Sequence, residues 1–338
     1  MPVGMAIVSN VFPPEQRGMA LGFWAIASAA SVSFGPSIGG YLVDNMNWNY
    51  IFYVNVPVGA LALFFTAILQ KEYKAQTVQP FDIPGFITSA IFLPLFMYGL
   101  SEVNSSTNTQ GWNSPTVLGS MWVSAIMFIL FIYFELTVKY PLINLRIFKD
   151  RNFALSNLMM FIFGIGMFGS TFLIPLYLQN NLGYSAFQAG MFFIPVGIIQ
   201  GFCSPAAGAL GQKINPKILI AAGLILMSLS FYLNFYLSFL TEKWYIMLSL
   251  YLRGVGMGIL FTPLLTLSLA KIRVDMMAQA SSITNIVRQM GGSFGVAIFS
   301  HMLTGRTSYH TQRYSEALNY TGEVYQQTID KLSAFASQ

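Results

Sequence analysis

ALSNLMMFIFGIGMFGSTFLIPLYL, residues Ala154 to Leu178, decides the fold, because twenty-five consecutive positions carry no charged side chain. As a helix rising about 1.5 Å per residue, such a run crosses a hydrocarbon layer of about 30 Å. In that layer each peptide N–H and C=O must be satisfied within the chain, so the run reads as a membrane-spanning helix. Eight more runs of this kind flank it: Met19 to Val43, Tyr50 to Leu69, Ile83 to Leu100, Val117 to Val138, Phe187 to Leu210, Ile218 to Leu240, Tyr245 to Ala270 and Ala278 to Leu303. The opening stretch, MPVGMAIVSNVFPPEQRG, has neither a charged leader nor a small-residue cleavage site, and reads as the last third of a further helix.

Composition agrees with the runs. Of the 338 residues 55% are hydrophobic and 9% charged, against about 25% charged in soluble domains. The expected fold is therefore all-α, a polytopic membrane helix bundle whose main partner is the lipid bilayer. The net charge of +5 is not gathered into a basic face interleaved with aromatics, so no nucleic acid is expected. His301 and His310 have no Cys or carboxylate at ligand spacing, and Cys203 is the single cysteine; no metal, cofactor or intrachain disulfide is expected.

Orientation follows from the loops. Arg17, then Lys71 and Lys74, then Lys139, Arg146, Lys149 and Arg151, then Lys213 and Lys217, then Lys271 and Arg273 fall in alternate connections, while DNMNWN, SEVNSSTNTQGWNS and QNNLGYSA contain no Lys or Arg. Cations are retained on the cytoplasmic side, which places the first set inside and sends the polar stretch 304–338 outside. Glycines and prolines inside the runs mark helices that pack closely and bend.

The sharpest motif is Gly35-Pro36-Ser37-Ile38-Gly39-Gly40, where Gly35 and Gly39, four apart, present two bare patches on one helix face. The plain reading is a packing face. The string, with the small-residue run before it, resembles the antiporter signature on the fifth helix of drug/proton antiporters in the major facilitator superfamily. Trp48 to Gly59, WNYIFYVNVPVG, is similar to the opening of the sixth helix in the EmrB/QacA-type, fourteen-helix branch. Leu145 to Phe153 resembles the basic segment before the ninth helix, Tyr251 to Gly258 the Arg/Gly-rich twelfth, and Asn285 to Gly295 the thirteenth.

That resemblance implies a truncated major facilitator fold, from the end of the fourth helix to the loop after the thirteenth. Residues 1–69 would end the N-terminal six-helix half, 70–138 would form two linker helices, 139–303 most of the C-terminal half, and 304–338 an extracytoplasmic tail or loop. It further implies a bacterial inner-membrane exporter of lipophilic or cationic drugs driven by protons, with a periplasmic adaptor as a possible partner. The family's proton-linked Asp would lie outside this chain, which leaves open a non-transporting remnant or a partner subunit. A membrane-embedded transferase would need a cluster of His, Asp or Glu at the interface, and no span or short loop supplies one; no enzyme is expected.

Charged residues inside the runs are few, and each costs about 2.5 to 3.5 kcal/mol at a helix centre. Arg288, with Asn285 and Gln289 at helical spacing, either lines the transport pathway or snorkels to phosphates. Arg253, followed by Gly254, Gly256 and Gly258, takes a coupling role or a buried structural pairing. Glu135, one turn from Lys139, reads as half of an exposed pair. The second-half echo of the family's cytoplasmic signature, Gly208 to Lys217, has Gln212 where an acid is usual, which makes it structural. A cavity for lipophilic drugs is apolar and aromatic with a few polar groups; its candidates are Phe161, Phe168, Tyr177, Phe193, Gln200 and Phe202.

Overall fold

The computed structural model describes residues 12–69, 81–103, 105, 108, 110–139, 141–273 and 276–317, with isolated positions 4, 8, 327, 329 and 330. Among them all regular structure is helical: α1 Pro14–Asn45, α2 Tyr50–Tyr53, α3 Asn55–Leu69, α4 Ile83–Glu102, α5 Pro115–Thr137, α6 Arg151–Asn180, α7 Ala186–Met191, α8 Ile194–Leu210, α9 Pro216–Asn234, α10 Lys243–Leu269 and α11 Met277–Ala317, with 3-10 turns at Gly111–Asn113 and Leu145–Lys149. The Lys71 and Lys74 connection and most of the stretch beyond Ala317 lie outside the described residues.

Local chemistry sets the starts. Asp82 accepts the Gly85 N–H, Asp150 the Phe153 N–H and Asn215 the Lys217 N–H, capping α4, α6 and α9. Ser185 and Gln188 close a reciprocal capping box on α7. Such caps satisfy donors that the helix itself leaves orphaned.

Seven helical segments are long and apolar enough to cross a membrane, counting α2 with α3 and α7 with α8 as single spans. The two long helices outside that set, α1 and α11, are richer in Gly, Ser and other polar residues. Two boundaries differ from the sequence expectation. The run Phe187 to Leu210 is broken at Phe192 and Phe193, because Pro195 has no N–H to continue the ladder. The last span does not stop at Leu303: α11 continues as one helix to Ala317, its residues 301–315 exposed.

Packing gives the relative directions. Gly22 approaches Pro205 and Gly40 approaches Ala186, so α1 runs antiparallel to α7–α8. Ser230 on α9 donates to the Ser249 carbonyl on α10 at 2.7 Å, while Gly223 lies against Gly256, an antiparallel pair. Gly164 lies against Arg288 and Gly169 against Phe299, so α6 and α11 run parallel. These directions are the ones the alternating Lys/Arg loops require.

The core sits between α6, α9, α10 and α11 around Phe153, Met160, Phe163, Ile220, Met257, Leu264 and Ile283. A second cluster joins α6, α7, α8 and α10 through Ile174, Leu178, Phe193 and Leu250. The most enclosed span is α10, with 72% of its apolar window buried, and the least is Tyr50–Ile68, with none. That enclosure makes α10 the axis of the described bundle.

Candidate functional site

The seam between α1 and α7–α8 is held together by backbone contact. A Cβ on Gly40 would lie 2.5 Å from the Ala186 carbonyl carbon, and one on Gly22 would lie 2.6 Å from Pro205 Cα. From the other side, a Cβ on Gly190 would meet Ser37 Cα at 2.6 Å. Backbone cannot rotate away, so these positions admit no side chain. Gly35 and Gly39 of the motif meet no described atom within 4 Å. Among the described residues the packed face is Gly22, Ser33, Ser37 and Gly40, with both serines under 5% exposed.

Asp44 closes the end of this seam. It lies beyond the apolar run that ends at Val43, and its Oδ2 accepts the Phe187 N–H at 2.8 Å, 143 positions away. The Phe187 N–H, then the Ser185 hydroxyl and the Ala186 N–H, hold the Asp44 carboxyl below its ordinary value. A depressed carboxylate contributes its full stabilisation above the unfolded value, about 3.9, and loses it as pH falls through the folded value. Asp44→Ala is therefore expected to lower the thermal unfolding midpoint, and Asp44→Asn to lower it less. The two deficits should stay constant between about pH 5 and 8 and shrink only in acid, as pH falls below the ordinary carboxylate value and through the folded one, read by scanning fluorimetry in detergent; deficits that already shrink near neutrality would refute the latch.

Arg253, on the axis helix, is 2% exposed. Its Nη1 donates to Ser170 Oγ at 2.8 Å, its guanidinium lies 5.2 Å from the centre of the Phe193 ring, and its Nε is buried without a partner. Among the described residues no carboxylate pairs with it. The neighbouring glycines fit the close packing read from the sequence: Gly254 and Gly258 face α8, and Gly256 faces α9.

Arg288 does not snorkel. It is 7% exposed, its Nη2 donates to Asn285 Oδ1 at 2.8 Å, and it lies 5.8 Å from the centres of both Phe168 and Phe261. It borders a gap of about 10 Å³ with Trp24, Met160, Thr284 and Asn285, space for about one water. Gln289, expected beside it, is exposed instead. Two cations thus stand on aromatic faces inside the bundle, an arrangement worth about 2 kcal/mol each when desolvated.

Among the described residues the aromatic candidates lie in different surroundings. Phe168 is under Arg288, Phe193 is under Arg253, and Phe161 packs edge-on against Phe294. Gln200 is buried with its carbonyl against Gly258, whereas Phe202 is 78% exposed. Tyr177 lines a cavity of about 610 Å³ between α6, α9 and α11, with Ser170, Asn180, Phe231, Asn234 and Phe299.

Several residues escaped the sequence reading. Ser170 and Trp24 have no signal beyond their helices, since what gives them a role is a partner from a distant helix. Gly22 lies five turns from Gly40 along the seam face, beyond the reach of a short motif, and Asp44, one turn past Gly40, falls outside the motif that was read. Glu135 was placed wrongly: it is 1% exposed and its Oε2 accepts the Ile143 N–H at 2.9 Å, so it is not part of an exposed pair.

Residues 1–296 match the sequence profile of the Major Facilitator Superfamily. The chain is 30% identical to the Multidrug export protein EmrB of Haemophilus influenzae over 339 residues, covering 99% of this chain and 66% of the relative. It is 29% identical over 345 residues to the Fatty acid resistance protein FarB of Neisseria gonorrhoeae, covering 100% and 66%. Against the Lincomycin resistance protein LmrB of Bacillus subtilis the identity is 31% over 312 residues, covering 91% and 64%. The chain thus spans less than two thirds of the length of these curated relatives.

Proposed function

The chain belongs to the major facilitator superfamily, a multi-pass membrane protein on that footing, and we propose that the protein it is part of exports lipophilic or cationic drugs across a bacterial inner membrane in exchange for protons. The observation that carries this reading is the seam of α1 on α7–α8, where Gly22, Gly40 and Gly190 leave backbone against backbone at both ends. Such a contact slides or rocks without side chains to disengage, which is what alternating exposure of a midplane site asks of two halves. The printed names of the relatives, multidrug export, lincomycin resistance and fatty acid resistance, support a pathway tolerant of unlike lipophilic molecules.

In this reading residues 1–69 belong to one half, 70–138 form the linker pair and 139–303 belong to the other half, with 304–338 beyond it. Arg253, Asn285 and Arg288 are the pathway or coupling residues, and Phe168 and Phe193 hold the two guanidiniums from below. Gln289, exposed among the described residues, stays a candidate beside them. A periplasmic adaptor is part of the proposal by analogy with the family alone.

The test is drug-dependent proton movement in proteoliposomes containing the complete protein. Drug added to one side of a pre-formed pH gradient should dissipate that gradient. Vesicles that move neither drug nor protons overturn the export reading, and vesicles that move drug without protons overturn the coupling.

A further inference from the structure

The hairpin of α4 and α5 encloses a polar centre that drug export does not use. Asp82 and Glu135 are 5% and 1% exposed. Asp82 Oδ1 accepts the Gly85 N–H at 2.9 Å and Oδ2 the Leu142 N–H at 3.1 Å, while Glu135 Oε2 accepts the Ile143 N–H at 2.9 Å. The remaining oxygen, Glu135 Oε1, is buried and accepts no hydrogen bond. It borders the same space as the other carboxylate: a Cβ added at Gly85 would lie 2.8 Å from Glu135 Oε1 and closer still to Asp82 Oδ2. The glycine keeps this shared space clear, and both oxygens border it.

Two buried like charges with an unsatisfied oxygen between them are a poor arrangement unless something is held there. We propose that Asp82 and Glu135 form a proton-binding site, in which one proton held between Glu135 Oε1 and Asp82 Oδ2 keeps the 141–143 segment docked on the hairpin. The proton comes from the adjoining solvent; one carboxylate becomes a carboxylic acid and no other bond changes. Its donor satisfies the orphaned oxygen, and the pair is left with a single negative charge facing the Leu142 and Ile143 amides.

Among the described residues the surrounding charges do not replace the proton. Past the end of α5 the next is Lys139, which is exposed. In the following segment Arg146 directs Nη2 to the Leu136 carbonyl at 3.1 Å, Lys149 ends the 3-10 turn, and Asp150 is occupied in capping α6. Where α11 touches α4 the contact is Phe294 on Phe96, and the nearest charge on α11, Arg288, is held by Asn285. Loss of the proton would place two repelling carboxylates behind the amides that anchor the segment. The disturbance passes directly to the 3-10 turn and the start of α6, the helix that carries Ser170.

This site is independent of the export reading, and its test needs no transport. Hydrogen–deuterium exchange of the peptide containing Leu142 and Ile143 is followed in nanodiscs at about pH 6 and about pH 8.5, corrected for intrinsic exchange. Wild type is expected to lose about tenfold or more of its protection at the higher pH, as linkage of one proton requires. Glu135→Gln, whose amide donates to Asp82 at every pH, should stay protected throughout, and Asp82→Asn, with one charge removed, should lose the pH dependence as well. Glu102→Gln, at the other end of the hairpin, should follow wild type. Flat protection in wild type overturns the site, as does a Glu135→Gln variant with wild-type pH dependence. Protection that follows sodium concentration at fixed pH would replace the proton by a cation and overturn it too. Should Glu135→Gln fail to fold, Asp82→Asn decides.

Discussion

Gly40→Val is expected to reduce export by the complete protein to background, while Gly35→Val leaves it close to wild type. The two glycines belong to one motif and are five positions apart, yet they face different surroundings. A side chain at position 40 would place Cβ 2.5 Å from the Ala186 carbonyl carbon and 2.6 Å from the Phe187 nitrogen. Valine adds two further methyl groups to that collision. Overpacking costs about 1 to 3 kcal/mol where side chains can repack, and more here, because main chain has to move. The displaced strand of backbone carries the Phe187 N–H that Asp44 accepts, so the latch at the end of the seam goes with it. At position 35 no described atom lies within 4 Å, so a side chain there meets no collision among the described residues.

The measurement is paired. Thermal midpoints in detergent separate the two variants by packing, and drug uptake in vesicles separates them by function. Equal losses for both, or a greater loss for Gly35→Val, would remove the seam from the account and return the role to the four-residue spacing. A wild-type Gly40→Val would show that the backbone contact is not maintained in the working protein.

The contrast explains what could be read in the sequence. Helices were legible because hydrocarbon enforces one solution on a long apolar run, and the run from Ala154 to Leu178 lies within α6, Arg151–Asn180. The end of α11 was not, since hydropathy ceases at Leu303 while hydrogen bonding continues through polar residues to Ala317. Nor was the packed face of α1. Gly22 and Gly40 are eighteen positions apart, which at about 3.6 residues per turn is five turns and so the same face; a motif of six residues cannot express that.

Charge was legible for a different reason. Arg253 and Arg288 stand out because a cation in an apolar run is costly and rare. Their partners did not stand out. Ser170 is 83 positions from Arg253, and serine is ordinary in packed membrane helices, so only the folded arrangement selects it from its neighbours. Glu135 shows the reverse error: its spacing to Lys139 suggested a surface pair, whereas the chain turning back at Ile143 covers it.

Arg253→Met carries the other large expectation: a protein that is more stable and does not transport. The guanidinium is buried with one hydrogen bond, one aromatic face and an Nε without a partner. Replacing poorly compensated buried charge with an apolar side chain of similar length is stabilising by about 1 to 4 kcal/mol where it has been measured. Retention of a costly charge in the most enclosed helix is then explained by function, through a change of partner between the states of the transport cycle. Arg253→Lys keeps the charge but loses the planar fork that reaches Ser170 while lying on Phe193, so partial transport is expected. Ser170→Ala alone removes the acceptor and costs about 1 to 3 kcal/mol; combined with Arg253→Met the same change should cost little, because the donor is gone. If Arg253→Met is destabilised, the arginine is structural glue. If it is stabilised and still transports, the buried charge takes no part in the cycle, and the pathway has to be sought around Arg288, where Trp24 of the first helix borders the same gap.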